Sequence, residues 1–347
     1  MKRILIIRLS AIGDVVMASA LIPVLRNAWP DAHIAWLVEP AARDLLRHNP
    51  RLDEVIVWPK QEWRQLWQEH RYRELLRRVR EFTKNLRQRR FDLVLDLQGL
   101  LKSGVWARLT GVGERVGLGS REGSQYLMTQ VLSRQADDRR IGSEYLHLAR
   151  SLGLDPGDFC MDIAIAQADA DHALQQRHAS GIDTPYAVFC PFTTRPQKHW
   201  FSDHWAQLSR LLPDQLGLPV MLLGGPNDRQ AAAEILQMSA DGLVNLTGNT
   251  TLGQTAALIR DARLLIGVDT GLTHLGIALS VPTIALFGST RPYLDTSTPK
   301  ALVLYHALAC SPCRRHPTCD GAFTCMRLHT ADRVLAAAQR LLASVTA

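Results

Sequence analysis

Residues 263–287 read RLLIGVDTGLTHLGIALSVPTIALF. Arg263 to Val268 is a short apolar run of the kind that forms a strand buried on both faces. Asp269-Thr270-Gly271 is a turn of small and polar residues. Leu272 to Leu279 has the apolar content of a helix lying on a sheet, and Pro282 to Phe287 returns to strand. Strand, turn, helix and strand in so short a span is a βαβ unit, which needs a parallel sheet with the helix across one face.

The same rhythm extends both ways. Tyr186–Phe192 and Pro219–Leu223 read as strands, Asp203–Leu212 and Gln230–Met238 as helices. In the other half, Arg3–Leu9 (RILIIRL), His33–Val38, Glu54–Trp58 and Phe91–Leu97 read as strands, with helical spacing over Val15–Ala28 and Lys60–Arg90. Two such runs, joined around Ala166 to Pro185, predict an α/β chain of two Rossmann-like domains with a cleft between them. The boundaries expected are 1–170, 180–330 and a last helix within 331–347. Ligands of open α/β sheets bind beyond the carboxyl ends of the strands, so chemistry is expected just after strands.

Composition narrows the class. The chain has 347 residues, 46% hydrophobic and 21% charged, which excludes a disordered tail, a collagen-like fibre and a small disulfide scaffold. Between Lys60 and Arg90 stand 11 Lys/Arg against 4 Asp/Glu, so this stretch carries the whole formal net charge of +7. Leu75, Val79, Phe82 and Leu86 step along one helix face there, with Trp63, Leu66 and Trp67 ahead of them. The stretch reads either as a solvated helix over a core or as Arg and Trp at an anionic lipid surface. No nucleic-acid reader motif accompanies the charge, so no nucleic-acid partner is expected. Thr270–Thr290, free of charged residues, reads as helix, turn and strand rather than a membrane span. Only Ile4–Ile7 separate the Lys2-Arg3 start from Arg8, too short for a signal-peptide core. A reducing cytoplasmic setting is expected, and with it no disulfides.

Several groups follow strands. Asp14, beside Gly13, stands at a helix start, either as a first-turn carboxylate or as a general base. At Asp269-Thr270-Gly271 a helix start offers N–H groups to phosphate oxygens, with His274 within the first turn or so; the alternative is an ordinary capped helix. Pro191–Trp200 (PFTTRPQKHW) offers Thr193, Thr194 and the compact cation Lys198. Asn227 or Asp228 could hold a ribose hydroxyl or make an Asx turn. Gln98 and Lys102, after Phe91–Leu97, and Arg121 are candidates for an anionic acceptor. Cys310, Cys313, Cys319 and Cys325 could hold a structural zinc or iron, or remain free thiols.

The segments ILIIRLSAIGDVVMASALIPVLR, DLQGLLKS, TTRPQKHWFSDHW and GVDTGLTHLGIAL, in this order, resemble the family 9 glycosyltransferases, the ADP-heptose:lipopolysaccharide heptosyltransferases. The resemblance covers nearly the whole chain, and TTRPQKHW looks most like the heptosyltransferase I branch. It implies a GT-B fold whose last helix packs back on the first domain. It implies inverting transfer of heptose from ADP-heptose to the Kdo region of an anionic lipid A precursor, with no cofactor or divalent metal needed for catalysis. By similarity, Asp14 matches the catalytic base, with Ser10 and Gly13 in the same loop. Lys198 matches the phosphate-binding lysine, and Asp269, Thr270, Gly271 and His274 match the donor motif. The heptosyltransferase I pattern has a glutamate near Asn227; here Asn227 is followed by Asp228. A monomer, peripheral on the cytoplasmic face of the inner membrane, is the expectation. The alternatives are a related transferase using another nucleotide sugar or a protein acceptor, and a non-catalytic nucleotide- or lipid-binding scaffold.

Overall fold

In strand β1 (Arg3–Ile7), Ile4 and Ile6 pack into one hydrophobic cluster, Leu5 and Ile7 into another, and all four are fully buried. Side chains alternate across a strand, so this run demands a sheet covered on both faces. The computed structural model, which describes residues 1–134, 139–239 and 242–346, provides two such sheets in two units. One unit is Met1–Asp138 with Gly142–Ala164; the other is Arg139–Ile141 with Ile165–Ala347.

In the first unit β1 is followed by α1 (Ile12–Ala18), α2 (Leu21–Ala28), β2 (His33–Val38), β3 (Glu54–Val57), α3 (Lys60–Gln68) and α4 (Tyr72–Gln88). Next come β4 (Leu93–Asp96), α5 (Leu101–Leu109), β5 (Glu114–Leu118), β6 (Gln130–Leu132) and α6 (Ser143–Ser151). The second unit opens with α7 (Gln167–Ala179), β7 (Ala187–Cys190), α8 (Ser202–Leu216), β8 (Val220–Leu222), α9 (Arg229–Met238) and β9 (Val244–Asn245). It continues with α10 (Leu252–Arg260), β10 (Leu264–Val268), α11 (Gly271–Ala278), β11 (Thr283–Phe287), β12 (Ala301–Tyr305), α12 (Thr324–Arg327) and α13 (Ala331–Thr346).

The strand orders are β3-β2-β1-β4-β5-β6 and β12-β11-β10-β7-β8-β9, parallel throughout. Counted from its own first strand, each sheet has the Rossmann order, so the α/β expectation of two such units holds. The order reverses between β1 and β4 in one sheet and between β7 and β10 in the other. At a reversal the flanking crossovers leave in opposite directions and a crevice opens at the carboxyl ends. The candidates Ser10, Gly13 and Asp14, then Gln98, then Thr193, Thr194 and Lys198, and then Asp269, Thr270, Gly271 and His274 follow those four strands.

Three expectations change in detail. The helical stretch 60–90 is two helices, because His70 takes a left-handed conformation (φ 56°) that ends α3. Val15–Ala28 is also broken. Ser19 bonds its hydroxyl back to Val16 O (2.6 Å), accepts from Asp162 N (2.8 Å) and stops α1. Residues 167–179, placed at the domain junction, are a helix of the second unit packed on α10.

The last helix was expected to return to the first domain. Its apolar side, Ala331, Val334, Leu335, Ala338 and Leu341, is instead buried in the second unit's core with Trp205, Leu208 and Leu212 of α8. Each fully buried Leu or Val there is worth about 1.5–3 kcal/mol.

The basic stretch covers a core, as one of its two readings required. Trp63 and Leu86 are buried, and Leu75, Val79 and Phe82 pack beside them. Trp63, Phe82 and Trp106 meet at centroid distances of 5.0–5.6 Å, in edge and tilted geometries favoured by aromatic quadrupoles. Thr270–Thr290 forms α11 and β11, and among the described residues no helix is long and apolar enough to cross a membrane.

Candidate functional site

In the first unit the site grows from a charge inside an apolar strand end. Arg8 is 3% exposed, and a buried guanidinium must be paired. It forms an ion pair with Asp14 and donates to Leu97 O (2.8 Å), while Trp36 Nε1 donates to its carbonyl (3.2 Å). Burial opposes the charge on Arg8. The neighbours Tyr145, Asp14 and Glu144 outweigh that cost and hold its pKa above the ordinary value.

Asp14 lies in the first turn of α1. Its Oδ2 meets Arg8 and also accepts from Ala11 N (3.3 Å), the residue that precedes the helix. Its side chain keeps 37% exposure against 4% for Arg8. One oxygen is therefore anchored, while the other has no hydrogen bond among the described residues and the group remains reachable. A proton acceptor needs that combination.

Gln98 was expected to meet an acceptor. Its Oε1 instead accepts from Leu9 N (3.1 Å) and Ser10 N (3.2 Å), clamping the loop after β1 from the end of β4. Beneath it Asp96, fully buried, accepts from Gln98 N, Gly99 N and Ser103 Oγ (3.0–3.2 Å); burial raises its pKa against those bonds. Gly99 has φ 65°, and a Cβ there would stand 2.5 Å from Leu118 O, so only glycine lets the chain pass. Lys102 is not free: it shares Glu39 Oε1 with Lys60, each at 3.1 Å. Arg121 is exposed, and its backbone N donates to Gly99 O (3.0 Å). Ser10 is half-buried and Gly13 buried in the Asp14 loop.

Sequence reasoning missed Arg8, Glu39, Tyr145 and Arg134. Arg134 pairs with Glu144 (3.3 Å) and donates to Leu97 O and Gln98 O (3.2 and 3.1 Å). The fully buried Tyr145 hydroxyl has no hydrogen-bond partner among the described residues, and burial pushes its pKa well up. An arginine ending an otherwise apolar strand was the one available signal.

In the second unit Asp269, after β10, gathers the other candidates. Lys198 Nζ lies 2.5 Å from Asp269 Oδ2, and Thr290 Oγ1 donates to the same oxygen (2.6 Å). His274 Nε2 is 3.4 Å from Asp269 Oδ1, and its Nδ1 is 2.8 Å from Tyr293 Oη. Burial alone would raise the Asp269 carboxyl. His274 and Lys198 overcome it and hold the group well below the usual carboxylate range. Thr290 and Tyr293, about twenty residues downstream, had no spacing signal.

Thr270 makes no side-chain cap on α11. Thr273 N and His274 N both donate to Thr270 O, and among the described residues the N–H groups of Gly271 and Leu272 at the start of the helix have no acceptor. Such an end, beside a lysine and a histidine, suits a phosphate oxygen. Thr193 offers its carbonyl to His199 Nε2 (2.7 Å), and Thr194 is exposed. Asp228 accepts from Gly225 N (2.8 Å), three residues before it, as the acidic member of a capping box rather than in an Asx turn; Asn227 beside it is exposed.

The metal expectation is corrected. Cys310 is exposed, Cys313 and Cys319 half-buried, and Cys325 buried under Gly288, where a Cβ would come 2.8 Å from its Sγ. Among the described residues no group of three or more His, Cys, Asp or Glu is placed to hold a metal ion, and all four thiols are free.

The chain is similar to known proteins in both sequence and structure. Residues 79–322 match the profile of Glycosyltransferase family 9 (heptosyltransferase). The chain is 30% identical to lipopolysaccharide heptosyltransferase 1 of Pseudomonas aeruginosa over 318 residues, covering 90% of this chain and 86% of that protein. It superposes on E. coli ADP-heptose lps heptosyltransferase II with a TM-score of 0.78, 26% identity and complete coverage of both chains. It also superposes on the E. coli heptosyltransferase WaaC with ADP-2-deoxy-2-fluoro heptose, with a TM-score of 0.71 and 25% identity, covering 97% of this chain and 99% of that one. The chain belongs to glycosyltransferase family 9, the heptosyltransferases.

Proposed function

We propose that this protein transfers heptose from ADP-heptose to the Kdo, inner-core region of a lipopolysaccharide precursor, inverting the anomeric centre. The observation that carries the reading is Asp14: a carboxylate anchored through one oxygen, with the other open, directly after the first strand of the sheet. In the proposed step an acceptor hydroxyl attacks the anomeric carbon and gives its proton to Asp14. The bond from that carbon to the β-phosphate oxygen breaks, and ADP leaves with the electron pair. Lys198, His274 and the N–H groups of Gly271 and Leu272 would neutralise the charge that develops on the diphosphate. Asp269 fixes the positions of the first two. The step needs no cofactor.

Thr193, Thr194, Asn227 and Asp228 are assigned to the nucleotide, Ser10 and Gly13 to the sugar beside the base. Arg121, exposed and basic, and Lys102 are assigned to the anionic Kdo–lipid A acceptor. The working unit is a monomer, peripheral on the cytoplasmic face of the inner membrane. Incubation of the pure protein with ADP-heptose and Kdo–lipid A, followed by mass spectrometry, tests the reading. Product heavier by one heptose supports it. Unchanged acceptor with ADP-heptose consumed points to another acceptor, and no consumption of either overturns it.

A further inference from the structure

The outer flank of α4 carries a site that the reaction above does not use. Beside its buried residues, α4 and the end of α5 form an open groove of about 640 Å³, floored by Val79 and Leu109 and bordered by Arg80, Lys84, Arg87 and Arg90. Among the described residues, no acidic side chain lines it. Arg80, Lys84 and Arg87 are spaced four and three apart, so like charges stand one above another, an arrangement that destabilises a free helix. The helix's two carboxylates, Glu74 and Glu81, are seven residues apart and share the opposite flank. Four cations around one groove without a counter-charge are complementary to an anion.

The groove is not the proposed acceptor site. α4 ends at Gln88 and β4 begins at Leu93, so Arg87 and Arg90 lie at the amino-terminal end of the first sheet, with Lys84 and Arg80 about one and two turns back along α4. Asp14 and Gln98 stand beyond the carboxyl ends.

The same flank continues towards the start of α4 with apolar side chains. Tyr72 and Leu76 precede Arg80 at helical spacing and are 42% and 54% exposed; Trp67 at 62% packs edge-on against Tyr72 at 5.1 Å. A row with an aromatic and aliphatic end and a cationic end matches a bilayer interface. Trp, Tyr and Leu enter the headgroup layer there, and Lys and Arg meet phosphates. A nucleic-acid partner would leave Leu76 without a role.

We propose that the Tyr72–Arg90 flank of α4 lies on an anionic bilayer, with the α4–α5 groove taking a lipid headgroup phosphate between Arg80, Lys84, Arg87 and Arg90. Vesicle flotation of the full chain tests it without turnover, so its outcome stands apart from that of the transfer reaction. The protein partitions onto vesicles of equimolar phosphatidylglycerol and phosphatidylcholine, is released at about 1 M salt where the screening length is about 3 Å, and stays off pure phosphatidylcholine. Arg80→Glu with Lys84→Glu lowers partition at least about tenfold with unchanged circular dichroism. Leu76→Ser weakens partition and leaves the salt dependence intact. Should the double variant fail to fold, Arg80→Gln gives the same reading. Equal partition of wild type and charge variant, equal recovery on both vesicle types, or tighter binding to duplex DNA than to anionic vesicles overturns the proposal.

Discussion

Lys198 Nζ sits 2.5 Å from Asp269 Oδ2, joining the loop after β7 to the loop after β10 across the point where the strand order of the second sheet reverses. The two residues are seventy-one apart in sequence, and the pair is largely shielded from water, with side chains 16% and 13% exposed. It presents a positive group at the crevice where an open α/β sheet binds its ligand.

Lys198→Met keeps the aliphatic stem and removes the cation. The expected result is a fall of about 100-fold in kcat/KM for the nucleotide-sugar donor, the size of effect seen when one charge-stabilising donor is lost. ADP binds more weakly as well. Asp269 retains His274 and Thr290, so the loss of stability is about 1–3 kcal/mol. Donor titration and urea unfolding measure both. A donor titration that superimposes on the wild type removes Lys198 from the site.

Asp14→Asn keeps the size of the side chain and removes its basicity. The proposed reaction predicts a kcat lower by about 10²–10⁴, the usual contribution of a positioned base. ADP affinity is unchanged, because the nucleotide is assigned to the second unit. Single-turnover transfer and calorimetric titration of ADP separate the two. Near-normal turnover in the purified variant would end the assignment of Asp14.

Much of this arrangement was legible in the chain, for a physical reason. β1, β2, β4, β7, β10 and β11 are buried on both faces, so their sequences are nearly unbroken apolar runs. Asp14, Lys198 and Asp269 follow such runs in turns of small and polar residues. β6 and β9 left little pattern, since these edge strands are only three and two residues long; β12, an edge strand of five apolar residues, carried a strand's pattern although none was expected there. β5, an interior strand, escaped because it opens on Glu114 and Arg115 and leaves only Val116–Leu118 as a buried end. Partners were the harder problem. Arg8 looked like part of a strand, and nothing in local spacing connects Asp269 to Thr290 or Tyr293, Arg134 to Glu144, or Lys60 to Glu39.

A pH dependence arises away from the proposed site. His329 is buried, donates through Nε2 to Phe287 O (2.9 Å), and burial, seconded by His306, Arg333 and His204, brings its pKa down to about 4. In the unfolded chain it titrates near about 6.5. Between those values the unfolded state binds the proton and the folded state does not. The contribution is therefore fully present above about pH 6.5 and is lost as pH falls towards 4, reaching about 3 kcal/mol. His329→Gln keeps a donor for Phe287 O and cannot titrate. Its urea-unfolding free energy is expected to change less than the wild type's between pH 7 and 4, and parallel curves would show that His329 is charged in the folded protein.

Gln98 gives the sharpest separation between two roles. As an acceptor contact, its loss would raise KM for the acceptor and leave the rest of the protein alone. As the clamp seen in the structure, it holds Leu9 N and Ser10 N, the start of the loop that carries Asp14. Gln98→Leu then leaves Leu9 N, which is buried, and Ser10 N, which is part-buried, without their acceptor, at a cost of about 1–3 kcal/mol for each donor that finds no substitute. It also loosens the loop, so kcat falls while KM for the acceptor is nearly unchanged. Gln98→Glu retains an acceptor oxygen and restores most of the stability. Because Asp96 is buried directly beneath, the added carboxylate meets a like charge, and the rescue is better at low pH than at high pH. A rise in acceptor KM alone, with stability intact, would return Gln98 to the acceptor site.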